Sequence, residues 1–114
     1  MNKEIRIKKS TEFEDIIKTG KILRNSFFNI YYKDKVLDSS RFGITLSKNF
    51  GNSVVRNRYK RVLREIVRNN QKKFKKEFDY IIIMKKSNLD FEYKVIEKNL
   101  LALLQEEKWK KSIY

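Results

Sequence analysis

The chain has 114 residues, a length that fits one domain with a modest core. Lysine and arginine number 28 against 14 acidic residues, which gives a formal charge of +14. Because so large a charge opposes compaction, it indicates a polyanionic partner, with nucleic acid the first candidate and an anionic membrane surface the second. The absence of Cys and His excludes disulfides and thiolate metal sites and removes the usual general base near neutral pH.

Targeting and membrane signals are not found in the sequence. No apolar run approaches the roughly 20 residues that span a bilayer, and residues 1–10 lack the apolar centre of a signal peptide. We therefore expect a cytoplasmic protein with a single domain over residues 1–114, which includes an extended arm at 1–9 and a basic tail at 108–114.

A short helix and two strands are predicted before residue 40. Ser10 or Thr11 caps the helix and Gly20 ends it, and the strands follow at Ile22–Asn25 and Phe27–Tyr32. The apolar positions of the helix are Phe13, Ile16 and Ile17, and we expect Phe13 and Ile17 to seal it onto the sheet. Alternation divides the second strand into a core face with Phe28, Ile30 and Tyr32 and a partly open face with Phe27, Asn29 and Tyr31.

The next strand, Arg41–Ser47, has one apolar face and one face of small residues. Its apolar face carries Phe42, Ile44 and Leu46, and its small face carries Gly43, Thr45 and Ser47. The small face can form a shallow platform with hydroxyl groups. An ordinary solvated face of an antiparallel sheet remains the alternative interpretation.

A long basic helix follows a turn at Gly51, with Asn52 as its N-cap. Its apolar arc contains Val55, Tyr59, Val62, Leu63 and Ile66, and the opposite arc contains Asn57, Lys60, Arg61, Arg64 and Arg68, with Arg56 and Arg58 on the flanks. A solvated helix face usually mixes charge signs. From residue 56 to 76 only Glu65 is acidic, and like charges four residues apart destabilise a helix by about 0.2–0.5 kcal/mol per pair. This pattern favours contacts to phosphates.

The remaining elements complete an α+β domain of order αβββαβα with a four-stranded sheet. Asp79–Met84 has a continuous apolar run, which fits a central strand covered on both faces. Phe91–Glu107 is predicted to be a packing helix. We place the Asp79 strand beside the Arg41 strand, with the basic helix as a crossover that is right-handed by default.

These residues resemble the bacterial ribonuclease P protein family. The resemblance covers about residues 5–107 and depends most on the Arg56-Asn57-Arg58 triplet early in the basic helix. The flanking matches are Ser47-Lys48, Gly51-Asn52, Lys60-Arg61, Arg64-Glu65 and the Asp79-Tyr80-Ile81 strand. In that family the protein assists a catalytic RNA that removes the 5′ leader of precursor tRNA with Mg²⁺, and the crossover is left-handed.

The resemblance implies two sets of binding residues. The catalytic RNA would contact Arg56, Asn57, Arg58, Lys60, Arg61, Arg64 and Arg68. The leader of precursor tRNA would contact Phe13, Ile17, Tyr31, Ser47 and Lys48, although an aromatic residue is common at the position of Ile17. Mg²⁺ would be held mainly by RNA phosphates, no residue of the protein would be catalytic, and neither a membrane nor DNA is expected as a partner.

Two other functions remain as alternatives. A ribosomal or ribosome-assembly protein of similar α+β fold would also carry a basic helix. A protein-only nuclease would need clustered carboxylates to hold metal ions, and the acids are scattered over turns and exposed helix positions: Glu12, Glu14, Asp15, Asp34, Asp38 and Glu65.

Overall fold

The described residues form three α-helices and four strands in the predicted order αβββαβα. A computed structural model describes Ile7 and residues 10–47, 50–86 and 92–105. In chain order the elements are α1 Ser10–Thr19, β1 Lys21–Arg24, β2 Phe28–Asp34, β3 Phe42–Leu46, α2 Ser53–Asn69, a 3-10 helix Gln71–Lys73, β4 Phe78–Met84 and α3 Tyr93–Leu104.

The strands form one mixed sheet in the order β1–β2–β4–β3. β1 pairs with β2 and β2 with β4 in the antiparallel direction, whereas β3 lies parallel to β4. Parallel neighbours need a crossover connection, which α2 provides. The α+β class and the position of the Asp79 strand beside the Arg41 strand are thus confirmed, and the family-implied left-handed crossover stays a prediction.

The main core lies between the sheet and the two later helices, α2 and α3. It includes Phe28, Ile30, Tyr32, Phe42, Leu46, Tyr80, Ile82 and Met84 from the sheet and Leu63, Ile66, Val67, Ile96, Leu100, Leu103 and Leu104 from the helices. On the other face of the sheet, Ile16 of α1 packs with Ile7 and Ile81. β4 is therefore buried on both faces, as its apolar run predicts.

The prediction for Phe27 is wrong. Phe27 precedes β2, and its ring is 1% exposed in the main core instead of lying on the partly open face. The side-chain oxygen of Asn25 accepts hydrogen bonds from the backbone N–H groups of Phe27 and Phe28, at 2.9 and 2.8 Å. Its amide nitrogen donates to the Asn99 carbonyl at 3.0 Å. Because this side-chain turn occupies the connection, strand alternation does not extend back to Phe27.

Gly20 directly follows the last residue of α1, and Gly51 directly precedes the N-cap of α2. A Cβ at Gly20 would lie 2.5 Å from the Ile16 carbonyl oxygen and 2.7 Å from that of Tyr32, so this end of α1 lies against the sheet backbone. Gly51 has a φ of 124°, and the Asn52 side-chain oxygen accepts a hydrogen bond from Val55 N–H at 3.0 Å. The predicted turn and N-cap of α2 are confirmed.

The ends of the chain are only partly described. α3 covers Tyr93–Leu104, inside the predicted Phe91–Glu107, and its buried side chains confirm its packing role. The arm at 1–9 is described only at Ile7, whose N–H donates to the Phe42 carbonyl at 3.0 Å. The tail at 108–114 lies outside the described residues.

Candidate nucleic-acid interface

The sheet face beside α1 carries rings, small side chains and an amide. Strand pairing places Tyr31, Ile81 and Gly43 in one row across β2, β4 and β3, and Asn29, Ile83 and Thr45 in the next row. The second row is half-buried, so α1 does not fully cover it. We define the ring platform as Phe13, Asn29, Tyr31, Thr45 and Ile83. Ile83 is the member that the sequence did not indicate, because a continuous apolar run does not show which end is open.

The Phe13 ring lies directly on Gly43. A Cβ at Gly43 would be 2.5 Å from Cε2 of Phe13 and 2.7 Å from Cδ1 of Ile81, so a side chain at this position would take the space that the ring occupies. Ile17 and Tyr31 pack against the same small cluster as Phe13. The structure thus brings together Phe13, Ile17 and Tyr31 on one face, and the predicted Lys48 lies outside the described residues.

Arg41 connects α1 to the sheet, a contact that the sequence does not indicate. Its Nη2 lies 2.5 Å from Glu12 Oε2 and 3.1 Å from Asp79 Oδ2, and its backbone N–H donates to Asp79 Oδ1 at 2.9 Å. The side chains of Arg41 and Asp79 are 9% and 3% exposed. Glu12 is half-buried, so its prediction as an exposed acid is wrong.

The charge on Arg41 is stabilised by these two carboxylates. Burial alone lowers the pKa of Arg41, but the hydrogen bonds and negative charges of Glu12 and Asp79 raise it by more, so the pKa lies above its ordinary value. Arg41 is therefore a permanent cation whose charge is already compensated within the protein.

The second candidate surface belongs to α2, which packs on the opposite face of the sheet from α1. Leu63, Ile66 and Val67 are buried in the main core. Away from the core, Asn57, Arg58, Arg61 and Arg68 are exposed, and Lys60 and Arg64 are half-buried. We define the cation arc as Arg58, Lys60, Arg61, Arg64 and Arg68. Within the described residues, the carboxylates form their ion pairs elsewhere, with Lys33 and Arg41.

Arg56, the first residue of the triplet, points toward the sheet. Its Nη1 donates to the Ser47 carbonyl at 2.7 Å, and its Nη2 lies 3.4 Å from the Leu46 carbonyl oxygen. The Ser47 hydroxyl accepts a hydrogen bond from Lys86 N–H at 3.1 Å. These bonds attach the start of α2 to the end of β3, so Arg56 and Ser47 connect the two candidate surfaces.

The described residues offer neither a metal site nor a membrane span. They contain no group of three or more carboxylates placed to hold a metal ion together. In the same part of the chain, every helix is too short or too polar to cross a bilayer. The ring platform presents aromatic rings, hydroxyl groups and an amide, and the cation arc presents cations.

Known proteins match this chain over nearly its whole length. The family model described as Ribonuclease P matches residues 1–108. The ribonuclease P protein component of Mycoplasma mycoides subsp. mycoides is 41% identical over 108 residues, which cover 94% of this chain and 98% of the relative. A mutant RNase P protein of Staphylococcus aureus has a TM-score of 0.80 at 33% identity and covers 90% of this chain and 87% of its own. The RNase P protein of Thermotoga maritima has a TM-score of 0.73 at 35% identity, with 90% and 97% covered.

Proposed function

The chain belongs to the ribonuclease P protein family and is a subunit of ribonuclease P, the endoribonuclease of tRNA 5′ processing. We propose that its two surfaces bind two different RNAs. The ring platform binds the single-stranded 5′ leader of precursor tRNA. The cation arc binds the catalytic RNA subunit. The family match does not favour the alternative of a ribosomal or ribosome-assembly protein.

The Phe13 ring on Gly43, in the same row as Tyr31, is the observation that carries the leader assignment. Leaders differ in sequence, so a general leader site cannot depend on hydrogen bonds that read base identity. Every base has a flat face, and stacking on an aromatic ring contributes about 1–3 kcal/mol per base. Thr45 and Asn29 add polar groups in the half-buried row beside the rings.

The cation arc suits a folded RNA because its charges lack carboxylate partners among the described residues. α2 has 17 residues and is therefore about 25 Å long, which allows contacts with several phosphates. Arginine contacts phosphate through two parallel N–H groups, and each neutralised phosphate releases counterions. In this proposal Asn57 and the cation arc contact the RNA, while Arg56 positions the helix through its bonds to β3.

The phosphodiester hydrolysis is assigned to the RNA subunit, with Mg²⁺ held mainly by RNA phosphates. Neither surface contains a carboxylate, and Mg²⁺ binds proteins through one or two carboxylates while water and phosphate oxygens complete its octahedral shell. We therefore assign no chemical step to a residue of this protein. A cytoplasmic location completes the proposal, because precursor tRNA is made there.

Reconstitution with the catalytic RNA tests the leader assignment. The variant Phe13→Ala/Tyr31→Ala should weaken binding of leader-bearing precursor tRNA by about 1–3 kcal/mol for each base that loses its ring. The affinity for a leaderless substrate should not change, and Tyr31→Phe, which keeps the ring, should bind both substrates normally. Equal weakening of both substrates by the double variant would contradict the proposal.

Cleavage assays with the protein alone test where the chemistry occurs. Without the catalytic RNA, the purified protein should not cut precursor tRNA at the mature 5′ end. Cleavage at that position by RNA-free protein would contradict the assignment of the hydrolysis to the RNA.

A further inference from the structure

We infer that Arg41 is a positioning residue that, through Glu12, holds α1 where Phe13 completes the ring platform. The inference rests on the proposed function of that platform in leader binding. Arg41 itself is 8% exposed, so it acts through α1 and not by contact with RNA.

The contacts of Arg41 connect three elements, β3, β4 and α1, next to the row formed by Tyr31, Ile81 and Gly43. Its backbone precedes β3, its carbonyl accepts a hydrogen bond from Tyr80 N–H at 2.9 Å, and its guanidinium reaches Glu12 on the first turn of α1. Glu12 is followed directly by Phe13, and Arg41 lies two residues before Gly43 on the strand beneath that ring. The two residues of the ion pair therefore lie within two positions of Phe13 and Gly43, whose contact positions the ring.

Asp79 compensates the charge of Arg41 even when Glu12 is neutral, so the positioning effect of Glu12 can be measured apart from charge compensation. Asp79 accepts hydrogen bonds from both the guanidinium and the backbone N–H of Arg41, and its side chain is 3% exposed. With Glu12 neutralised, Arg41 keeps this counter-charge within the sheet. We therefore expect Glu12→Gln to loosen α1 without opening the junction between β3 and β4.

A second ion pair on α1 provides a matched control. Asp15 Oδ2 lies 2.7 Å from Lys33 Nζ, but the two side chains are 55% and 40% exposed. Exposed pairs of this kind contribute little, because water and salt screen them. Asp15→Asn removes the same charge from the same helix, so it controls for net charge and for the loss of an acid from α1.

The experiment compares holoenzymes reconstituted with Glu12→Gln, Asp15→Asn, Phe13→Ala and Glu12→Gln/Phe13→Ala. The leader advantage is the ratio of the affinities for leader-bearing and leaderless precursor tRNA. Glu12→Gln should lower it by about 5-fold, the lower end of the contribution of one stacked base. Asp15→Asn should not change it, and affinity for the catalytic RNA should remain normal in all four variants.

The double variant tests whether Glu12 acts through the ring. If it does, Glu12→Gln should cause no further loss of leader advantage once Phe13 is alanine, because the effects of substitutions at coupled residues do not add. Glu12→Asp, which keeps the charge, should retain part of the advantage even if Glu12→Gln lowers stability.

Failure of this inference differs from failure of the proposed function. A loss with Phe13→Ala but none with Glu12→Gln, or additive losses in the double variant, would overturn the positioning role alone. An unchanged leader advantage with Phe13→Ala would overturn the assignment of the ring platform to the leader.

Discussion

The ring platform and the cation arc lie on elements packed against opposite faces of one sheet, and they differ in how their side chains are held. Phe13 lies on Gly43, and Arg41 beside it is enclosed by two carboxylates. On α2, Arg58, Arg61 and Arg68 are exposed. One surface is ordered by packing inside the protein, and the other presents charges that only a partner can neutralise.

A highly basic protein can therefore use its cations in two ways. Arg41 and Arg56 bind groups of the protein itself, a carboxylate pair and two backbone carbonyls. The arginines of the cation arc have no carboxylate partner in the described residues, although the Arg58 guanidinium lies 6.0 Å from the centre of the Tyr59 ring, and they remain available to phosphates. Net charge alone therefore does not identify which arginines are available to a polyanionic partner.

Loss of Arg41, whose charge two carboxylates compensate, should lower the free energy of unfolding far more than loss of the exposed Arg61. Arg41→Ala leaves Asp79 buried without its cation, and loss of one partner of a buried pair lowers the free energy of unfolding by about 3–5 kcal/mol. Arg61→Ala, at an exposed position, should change it by less than about 0.5 kcal/mol. Urea unfolding of both variants measures this difference, and similar losses of unfolding free energy would show that Arg41 matters no more to the fold than Arg61.

Overpacking the platform should come next. Gly43→Ala adds a Cβ 2.5 Å from the Phe13 ring, and displacement of that ring should lower the free energy of unfolding by about 1–3 kcal/mol. The leader advantage should fall as well, while affinity for the catalytic RNA stays normal. A variant that binds leader-bearing substrate normally would show that the ring position is unimportant.

Alkaline pH should destabilise the core through Tyr80. Burial raises the pKa of Tyr80, whose hydroxyl donates to the Lys75 carbonyl at 2.6 Å. Above about pH 10 the unfolded tyrosine loses its proton while the folded one keeps it, so the free energy of unfolding falls by up to about 1.4 kcal/mol per pH unit. Tyr80→Phe should reduce this slope in urea unfolding between about pH 9 and 11, and an equal slope would contradict the account.

The smallest effect concerns the connection between the two regions. Asn52→Ala removes the N-cap of α2 and should lower the free energy of unfolding by about 1 kcal/mol. Asn57→Ala removes the same amide from an exposed position within the helix and should not destabilise it. Thermal unfolding compares the two, and equal destabilisation would argue against the capping role.

The parts of the fold that depend on neighbouring residues could be predicted. The cap and positive φ at the start of α2, the apolar arc of that helix and the alternation of β3 all follow from residues a few positions apart. The resemblance to a family implies the binding residues, which stay a prediction, and three of them, Phe13, Ile17 and Tyr31, share one face in the structure.

The contacts between distant residues could not be predicted. Arg41 and Asp79 are 38 positions apart, and nothing in the sequence distinguishes Glu12 from the other acids of α1. The same limit applies to Arg56, because a helical wheel shows its flank position but not the two carbonyls it reaches on β3. Phe27 was misplaced because a side-chain turn at Asn25 interrupts the strand period.

The salt dependence of binding to the catalytic RNA tests the division between the two surfaces most directly. In Arg58→Ala/Arg61→Ala, the slope of log affinity against log salt should become shallower by about 0.7–0.9 for each lost phosphate contact. Phe13→Ala/Tyr31→Ala should keep the slope of the unmodified protein. An unchanged slope in the arginine variant would show that the cation arc does not bind the catalytic RNA, and an equal change in both variants would show that the two surfaces do not bind separate RNAs.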